Sequence, residues 1–329
     1  MMRRRELITL LAGAAAWSPA ARAQQPQRQA PVVGYLGTES FSLFARQVRA
    51  FQQGLAELDY VENRNVTVEY RWADGRIDRL EPLAADLVNR KVALIATSTD
   101  PAARAAKAAT NSVPIVYLSA GDPVERGIIA SLAHPGGNIT GVTSLNTDLI
   151  AKRLELLRDL APQASSAAFL INPNTPEGAE RRTREAETAA HLLGLDLHVF
   201  HASSEPELDL AFEKIKELGT GGLVVNTQAF FNLRHERIAA LGLRYTVPTI
   251  FNYREFAAAG GLMSYGGSNT EGWRLVGVYA GRILKGDRPS DLPFQQVTRV
   301  ELIINISTAK TLGLTFPISI LGRADEVIE

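Results

Sequence analysis

Short polar segments recur along the sequence, and each directly follows a run of apolar residues. They offer hydroxyl, amide and carboxyl groups together with free backbone N–H groups, a combination that suits a small zwitterionic or polyhydroxyl ligand. The same residue types cap helices wherever a helix begins, so capping stays open as the alternative at each position. The candidate ligand contacts are Thr38, Glu39, Thr97, Ser98, Thr99, Ser119, Ala120, Asp122, Asn172, Asn174, Asn226 and Thr227.

Asp122 and one further candidate, Tyr265, have both a structural and a ligand-binding interpretation. Asp122 precedes Pro123 and stands three residues before Glu125, which is the pattern of a helix N-cap with a capping box. As a cap it needs no ligand, and as a cleft residue it could contact one. Tyr265 lies at the end of a predicted strand, where its ring either stacks on a ligand or packs in a hinge.

Signatures of catalysis are missing from the sequence. The five histidines form no His-Glu-x-x-His motif, and the absence of cysteine leaves zinc few ligands. The sequence also lacks a phosphate-binding Gly-x-x-x-x-Gly-Lys-Ser/Thr loop and a Gly-x-Ser-x-Gly nucleophile elbow. Ser98 or Thr99 beside Asp100 resembles a nucleophile pair, but this pattern is more typical of a capped turn. We therefore expect a binding protein that is not an enzyme and has no metal and no cofactor.

Alternating strands and helices must position the polar segments. The first unit has an apolar strand at Val32 to Leu36, followed by a helix whose apolar residues recur at spacings of three and four. Four such units precede Gly136-Gly137, and a second set follows Thr143. This order predicts an α/β fold with two Rossmann-like lobes, in which ligands bind beyond the carboxyl ends of parallel strands.

The predicted lobes are not continuous in sequence. We expect residues 31–144 and 267–292 to form lobe 1, and residues 145–266 and 293–329 to form lobe 2. More than one crossing is needed for the two lobes to be joined by a hinge.

The N-terminus has the features of an export signal. Three arginines, Arg3 to Arg5, precede an apolar run from Leu7 to Trp17 and the triplet Ala21-Arg22-Ala23. This arrangement predicts a signal peptide cleaved after Ala23, by either the twin-arginine or the Sec route, and hence a periplasmic protein.

The charge of the remaining chain bears on its partners. The 35 basic and 35 acidic residues fall to 31 and 34 without the four arginines and one glutamate of residues 1–23, a net charge of −3. This balance gives no general attraction to nucleic acid, and we expect none as a partner. A monomer is the expected state.

Several motifs carry a resemblance to a known family. Together they resemble the ABC-transporter substrate-binding family that includes tryptophan- and tyrosine-binding receptors, over about residues 31–320. The motifs are Gly34-Tyr35-Leu36-Gly37, Asp122-Pro123-Val124, the segment Pro-Gly-Gly-Asn-Ile-Thr-Gly at 135–141, Ser264-Tyr265-Gly266, Asn305, the segment Ala-Lys-Thr-Leu-Gly-Leu at 309–314, and Pro317.

The resemblance implies a type I periplasmic-binding-protein fold, with an aromatic amino acid or related small acid held between the lobes. It also implies an ABC permease in the inner membrane as partner, and it places the ligand contacts in the same polar segments and at Tyr265. Two segments depart from the family pattern, Thr97 to Pro101 and Asn226-Thr227-Gln228, and leave the ligand open. An exported small-molecule hydrolase using the same cleft and a sensory ligand-binding module are the alternative functions.

Overall fold

The computed structural model describes residues 30–144, 146–174 and 178–329. The chain forms two α/β lobes, each built around its own sheet, and a cleft separates them. The predicted two-lobed α/β fold is confirmed. The predicted signal peptide, residues 1–23, lies outside the described residues.

The first part of the chain forms most of lobe 1. Its strands all pair in parallel, in the order β5-β4-β3-β1-β2. Apolar runs such as β1 are buried on both faces because helices cover both sides of the sheet. The elements are β1 (Val32–Gly37), α1 (Phe41–Ala56), β2 (Thr67–Trp72), α2 (Leu80–Asn89), β3 (Leu94–Ser98), α3 (Asp100–Ala109), β4 (Ile115–Ser119) and β5 (Ile139–Thr143).

The chain then crosses to lobe 2, whose parallel strands follow the order β10-β9-β8-β6-β7. Its helices again cover both faces of the sheet and bury two apolar clusters. The elements are α4 (Ile150–Leu160), β6 (Ser166–Ile171), α5 (Ala179–Leu192), β7 (Asp196–His201), α6 (Glu205–Leu218), β8 (Leu223–Val225), α7 (Ala229–Asn232), α8 (His235–Arg244), β9 (Thr249–Phe251), α9 (Arg254–Ala258) and β10 (Met263–Gly267).

Two more crossings complete both sheets. The chain returns to lobe 1 with α10 (Asn269–Leu284) and β11 (Gln295–Gln296), which pairs with β5. It then re-enters lobe 2, where β12 runs antiparallel to β10 and β13 pairs with β12. The last elements are β12 (Val300–Asn305), α11 (Ile306–Thr311), α12 (Ile318–Leu321) and β13 (Glu326–Ile328).

The sheet pairing differs from the predicted lobes at one boundary. Residues 293–329 were expected in lobe 2, but Gln295 and Gln296 pair with Val142 and Thr143 in the sheet of lobe 1. The third crossing therefore lies between β11 and β12. A two-residue edge strand has too little apolar pattern to be recognised in a sequence.

The predicted helix opening at Asp122 is wrong, because residues 123–127 form a turn and no helix follows before β5. The Asp122 carboxylate accepts a hydrogen bond from the Val124 N–H at 2.8 Å, the kind of contact that a helix cap also makes. Gly127 then adopts a φ of 63°. This left-handed conformation is incompatible with a continuing α-helix.

Helix α10 is fixed firmly to lobe 1 although it follows lobe 2 in sequence. Trp273 is fully buried and stacks on Tyr35 with ring centroids 4.7 Å apart. Helices α10 and α1 pack closely at glycines. A Cβ atom on Gly277 would lie 2.1 Å from the Phe51 carbonyl oxygen, and one on Gly54 would lie 1.9 Å from that of Arg274. Only glycine permits this approach of two backbones.

Candidate ligand-binding site

A cleft of about 1430 Å³ lies between the lobes, beyond the carboxyl ends of their parallel strands. Lobe 1 lines it with α1 and with the segments that follow β1, β3 and β4. Lobe 2 lines it with the segments that follow β6, β8 and β9. Ligand clefts commonly measure about 300–1,000 Å³, so a small metabolite fits here together with water.

Most of the polar segments predicted to contact a ligand reach this cleft. They come together from both lobes although they are far apart in sequence, because each one follows a parallel strand. The predicted contacts that line the cleft are Glu39, Ser98, Thr99, Ala120, Asn172, Asn174, Asn226 and Thr227.

Five predicted contacts lie outside the cleft lining, and their polar groups serve the fold instead. The Thr97 hydroxyl donates to the Leu36 carbonyl at 2.9 Å, and the Ser119 hydroxyl donates to that of Gly121 at 2.8 Å. The Asp122 carboxylate caps its own turn. Tyr265 packs against the apolar core of lobe 2, and the Thr38 hydroxyl bonds to a neighbouring threonine.

Thr99, whose hydroxyl bonds to that of Thr38, has a strained backbone at the edge of the cleft. Its φ of 66° with ψ of 144° is a conformation that β-branched residues rarely adopt. The Thr38 and Thr99 hydroxyls lie 2.7 Å apart and help to hold it. Such strain costs about 1–3 kcal/mol and is commonly found at functional sites. Here it directs the start of α3, and with it Asp100, towards the cleft.

Asp100 and Arg126 form an ion pair in the wall of lobe 1. Asp100 also accepts a hydrogen bond from the Tyr117 hydroxyl. Burial opposes the charge of Arg126, but the neighbouring carboxylate outweighs it and raises the pKa of the guanidinium. The positive charge of Arg126 is therefore kept in the cleft wall over the physiological pH range.

Several cleft atoms are buried and have no hydrogen-bond partner among the described residues. They include Glu39 Oε2, Gln47 Oε1, Ser98 Oγ, Asn226 Oδ1 and Glu255 Oε2. Buried polar atoms are nearly always paired, and each one left alone costs about 1–3 kcal/mol. Their concentration in one cleft indicates that a bound molecule supplies the missing partners.

Polar contacts join the two lobes across the cleft. Gln47 on α1 donates its side-chain N–H to Glu255 on α9 at 2.6 Å. Elsewhere on the rim, Arg181 of lobe 2 forms a two-pronged ion pair with Glu125 of lobe 1. The structure thus shows the lobes in contact, as they would be around a ligand.

A buried arginine joins the crossings to the cleft. Arg153 of α4 is fully buried, and burial lowers its pKa to about 9, so it stays charged at neutral pH. Its N–H groups reach the Tyr265 carbonyl at 2.8 Å, the Asn146 carbonyl at 2.9 Å and the Thr227 hydroxyl at 3.3 Å. Asn146 in turn accepts from the Gly267 N–H at 2.6 Å. One network therefore connects the first two crossings with a residue of the cleft.

Residues 41–328 match the family described as ABC transporter substrate binding protein. The chain belongs to this family. Members bind small molecules and work with an ABC transporter. The relationship inferred from the sequence motifs is confirmed.

Individual relatives agree with the family assignment. The tyrosine-binding protein of Clostridioides difficile (strain R20291) is 23% identical over 276 residues, which cover 81% of this chain and 76% of the relative. A structure from Streptococcus pneumonia, described as the ABC domain in complex with L-Trp, has a TM-score of 0.81 at 23% identity. It covers 91% of this chain and 99% of that chain.

A conserved domain protein from Vibrio cholerae (O1 biovar El Tor strain N16961) also has a TM-score of 0.81, at 22% identity and with the same coverage of both chains. These structures show a shared fold, that of type I periplasmic binding proteins, as the sequence motifs predicted.

Some cleft residues of this family member were not predicted from the sequence. Tyr253 follows β9 as the other polar segments follow their strands, so the same rule could have found it. Gln47 lies three residues after Phe44 and four before Phe51, on the apolar face of α1. A lone polar residue on the apolar face of a helix marks a candidate site residue in the sequence. Arg126 and Glu255 have no comparable signal, since their positions depend on turns and on lobe closure.

Metal ligands and membrane spans were also sought among the described residues. Residues 30–144, 146–174 and 178–329 contain no group of three or more His, Cys, Asp or Glu side chains arranged to hold a metal ion. In the same residues no helix is both long enough and apolar enough to cross a membrane.

Proposed function

We propose that this chain is the receptor of an ABC importer and captures a small polar or aromatic metabolite, such as an amino acid, between its lobes. The observation that carries the proposal is a cleft into which both lobes direct buried polar atoms without partners. A ligand that pairs with atoms of both lobes binds the closed form more tightly than the open form. Closure about the three crossings therefore follows binding.

An aromatic or apolar side chain of the ligand has a place to pack in this cleft. The lining includes the rings of Phe44, Phe230, Phe251, Tyr253 and Phe256. Aromatic pairs contribute about 0.5–1.5 kcal/mol beyond the area that they bury. A relative named for tyrosine binding and a similar structure in complex with L-Trp support this ligand class.

The proposal includes the site of action and the partners. The receptor acts as a monomer in the periplasm after cleavage behind Ala23, and it delivers its ligand to a permease in the inner membrane. The export signal in the sequence and the family support this placement. N-terminal sequencing of the protein from a periplasmic fraction should begin at Gln24, and light scattering should give the mass of one chain.

The receptor leaves its ligand chemically unchanged. Ser98 is the cleft hydroxyl that most resembles a nucleophile, yet its Oγ atom has no hydrogen-bond partner among the described residues. A serine nucleophile needs a neighbouring base to take its proton. Mass spectrometry after long incubation should recover the ligand intact, and accumulation of a product would favour a hydrolase.

A thermal-shift screen of amino acids, aromatic acids and other small metabolites tests the binding function itself. A ligand at 100 times its Kd should stabilise the folded protein by about 2.7 kcal/mol. Native mass spectrometry of protein purified from its host would identify a bound ligand directly. The proposal fails if the folded, ligand-free protein gains no stability from any compound.

A further inference from the structure

Four polar side chains from both lobes form one cluster in the cleft, which we call the carboxyl cluster: Glu39, Gln47, Tyr253 and Glu255. Glu39 follows β1 and Gln47 lies on α1, whereas Tyr253 and Glu255 stand at the start of α9 in lobe 2. The hydrogen bond of 2.6 Å between Gln47 and Glu255 joins the two halves. Burial raises the pKa of Tyr253 to about 12, and Glu255 and Glu39 add to this rise, so the phenol lies near both carboxyl groups.

The free atoms of this cluster are all hydrogen-bond acceptors. Glu39 Oε2, Gln47 Oε1 and Glu255 Oε2 are buried and have no partner among the described residues. Gln47 is 1% exposed and Glu39 is 4% exposed, so bulk water does not satisfy them. The amide N–H of Gln47 is already given to Glu255, and its oxygen accepts no hydrogen bond. Whatever binds here must therefore supply donors.

Neither carboxyl group of the cluster forms an ion pair with an arginine, lysine or histidine among the described residues. Two arginines of neighbouring segments are engaged elsewhere, since Arg254 pairs with Glu326 and Arg126 pairs with Asp100. Burial raises the pKa of Glu39 to about 7, the behaviour of a carboxyl group with no cation beside it. An unpaired buried carboxylate is costly, and a cation brought by a ligand would remove that cost.

We propose that the carboxyl cluster binds the protonated amine of the ligand, so that the ligand class is a primary ammonium compound. An ammonium group has three N–H donors and a positive charge, which match three unpaired acceptors and two carboxyl groups. It would also bridge the lobes, because Glu39 belongs to lobe 1 and Glu255 to lobe 2. This inference rests on the proposed receptor function.

Three indole compounds test the inference by calorimetry on the purified protein near neutral pH. L-Tryptophan carries an amine and a carboxylate, tryptamine carries only the amine, and indole-3-propionic acid carries only the carboxylate. The two amines should bind, and the acid should bind at least about 10-fold more weakly because a charge-assisted hydrogen bond is lost.

Two variants test whether the preference for amines over the acid comes from the carboxyl cluster. Glu39→Gln and Glu255→Gln keep the shape of the side chain but remove its charge. Each should weaken tryptamine binding by about 10-fold or more and leave indole-3-propionic acid unaffected. Glu213→Gln, at an exposed position on α6, is the matched control and should bind like the parent protein. Thermal unfolding checks that each variant is folded, and if one is not, the other carries the comparison.

The outcomes separate this inference from the receptor function. Binding of indole-3-propionic acid as tight as that of tryptamine would overturn the inference, as would an equal loss for both compounds in the variants. If none of the three indole compounds binds, a ligand found in the metabolite screen takes their place. An amine from that screen whose binding is weakened by Glu39→Gln supports the inference. A ligand without an amine overturns it and leaves the receptor function standing. If no metabolite stabilises the folded protein, both proposals fail.

Discussion

Replacement of Glu39 by glutamine should remove a pH dependence from the stability of the ligand-free protein. Burial raises the pKa of Glu39 from its ordinary value of 4.5 to about 7. Between these values the folded protein keeps a proton that the unfolded chain has lost. The contribution of Glu39 to the free energy of unfolding is therefore fully present below 4.5 and is lost as the pH rises to about 7. At about 1.4 kcal/mol for each unit of pKa, this loss is about 3 kcal/mol.

Urea unfolding of the parent protein and of Glu39→Gln, between about pH 5 and pH 8, measures this difference. Trp72 and Trp273, the tryptophans among the described residues, both lie in lobe 1, as Glu39 does, so their fluorescence follows the relevant lobe. The histidines are common to both proteins. So are Tyr35 and Tyr253, the titratable groups that interact electrostatically with Glu39.

The variant should gain about 2–3 kcal/mol relative to the parent as the pH rises through this range. The matched comparison is Glu213→Gln, whose curve should run parallel to that of the parent protein. Parallel curves for Glu39→Gln as well would show that Glu39 has an ordinary pKa, and the reasoning from its burial would be refuted.

Three further predictions concern packing, the crossings and the rim. Arg153→Met should lower the free energy of unfolding by about 3–5 kcal/mol in urea, because it leaves buried oxygen acceptors unpaired; a loss under about 1 kcal/mol would contradict this. Gly277→Ala should cost more than about 2 kcal/mol, since its Cβ would lie 2.1 Å from a carbonyl of the facing helix, whereas Gly322→Ala, with 3.3 Å to the nearest atom, should cost much less in the same assay. Arg181→Gln should change ligand affinity less than about 5-fold in calorimetry, because its ion pair with Glu125 is partly exposed; a larger loss would show that the rim controls closure.

The part of the site that could be predicted from the sequence consists of polar residues at the carboxyl ends of parallel strands, where ligands bind in such sheets. Glu39 and Asn226 each follow an apolar strand and Ser98 ends one, and parallel sheets gather such residues at one edge whatever their distance in sequence. The position at a strand end does not determine which of several adjacent polar residues has its side chain in the cleft. Thr97 and Ser98 are neighbours on β3, yet the Thr97 hydroxyl bonds the neighbouring strand and the Ser98 hydroxyl lines the cleft.

The other features of the fold and of the site depend on interactions between distant residues, which no local sequence pattern encodes. Gln47 and Glu255 lie in different lobes and meet only through the relative placement of the two sheets. Asp122 makes the same short-range hydrogen bond whether it caps a helix or a turn, and the conformation of Gly127 decides between the two. The two-residue strand at Gln295–Gln296 is defined by its partner β5, not by its own residues.

The stacking of Trp273 on Tyr35 has a consequence for how the chain acquires its structure. Tyr35 belongs to the first strand, and its ring is covered by a helix that comes after all but the last elements of lobe 2. A chain that emerges from its amino end therefore carries an incomplete lobe 1 until most of lobe 2 has been synthesised. The discontinuous lobe is finished late, and the apolar face that this helix covers stays exposed to aggregation until then.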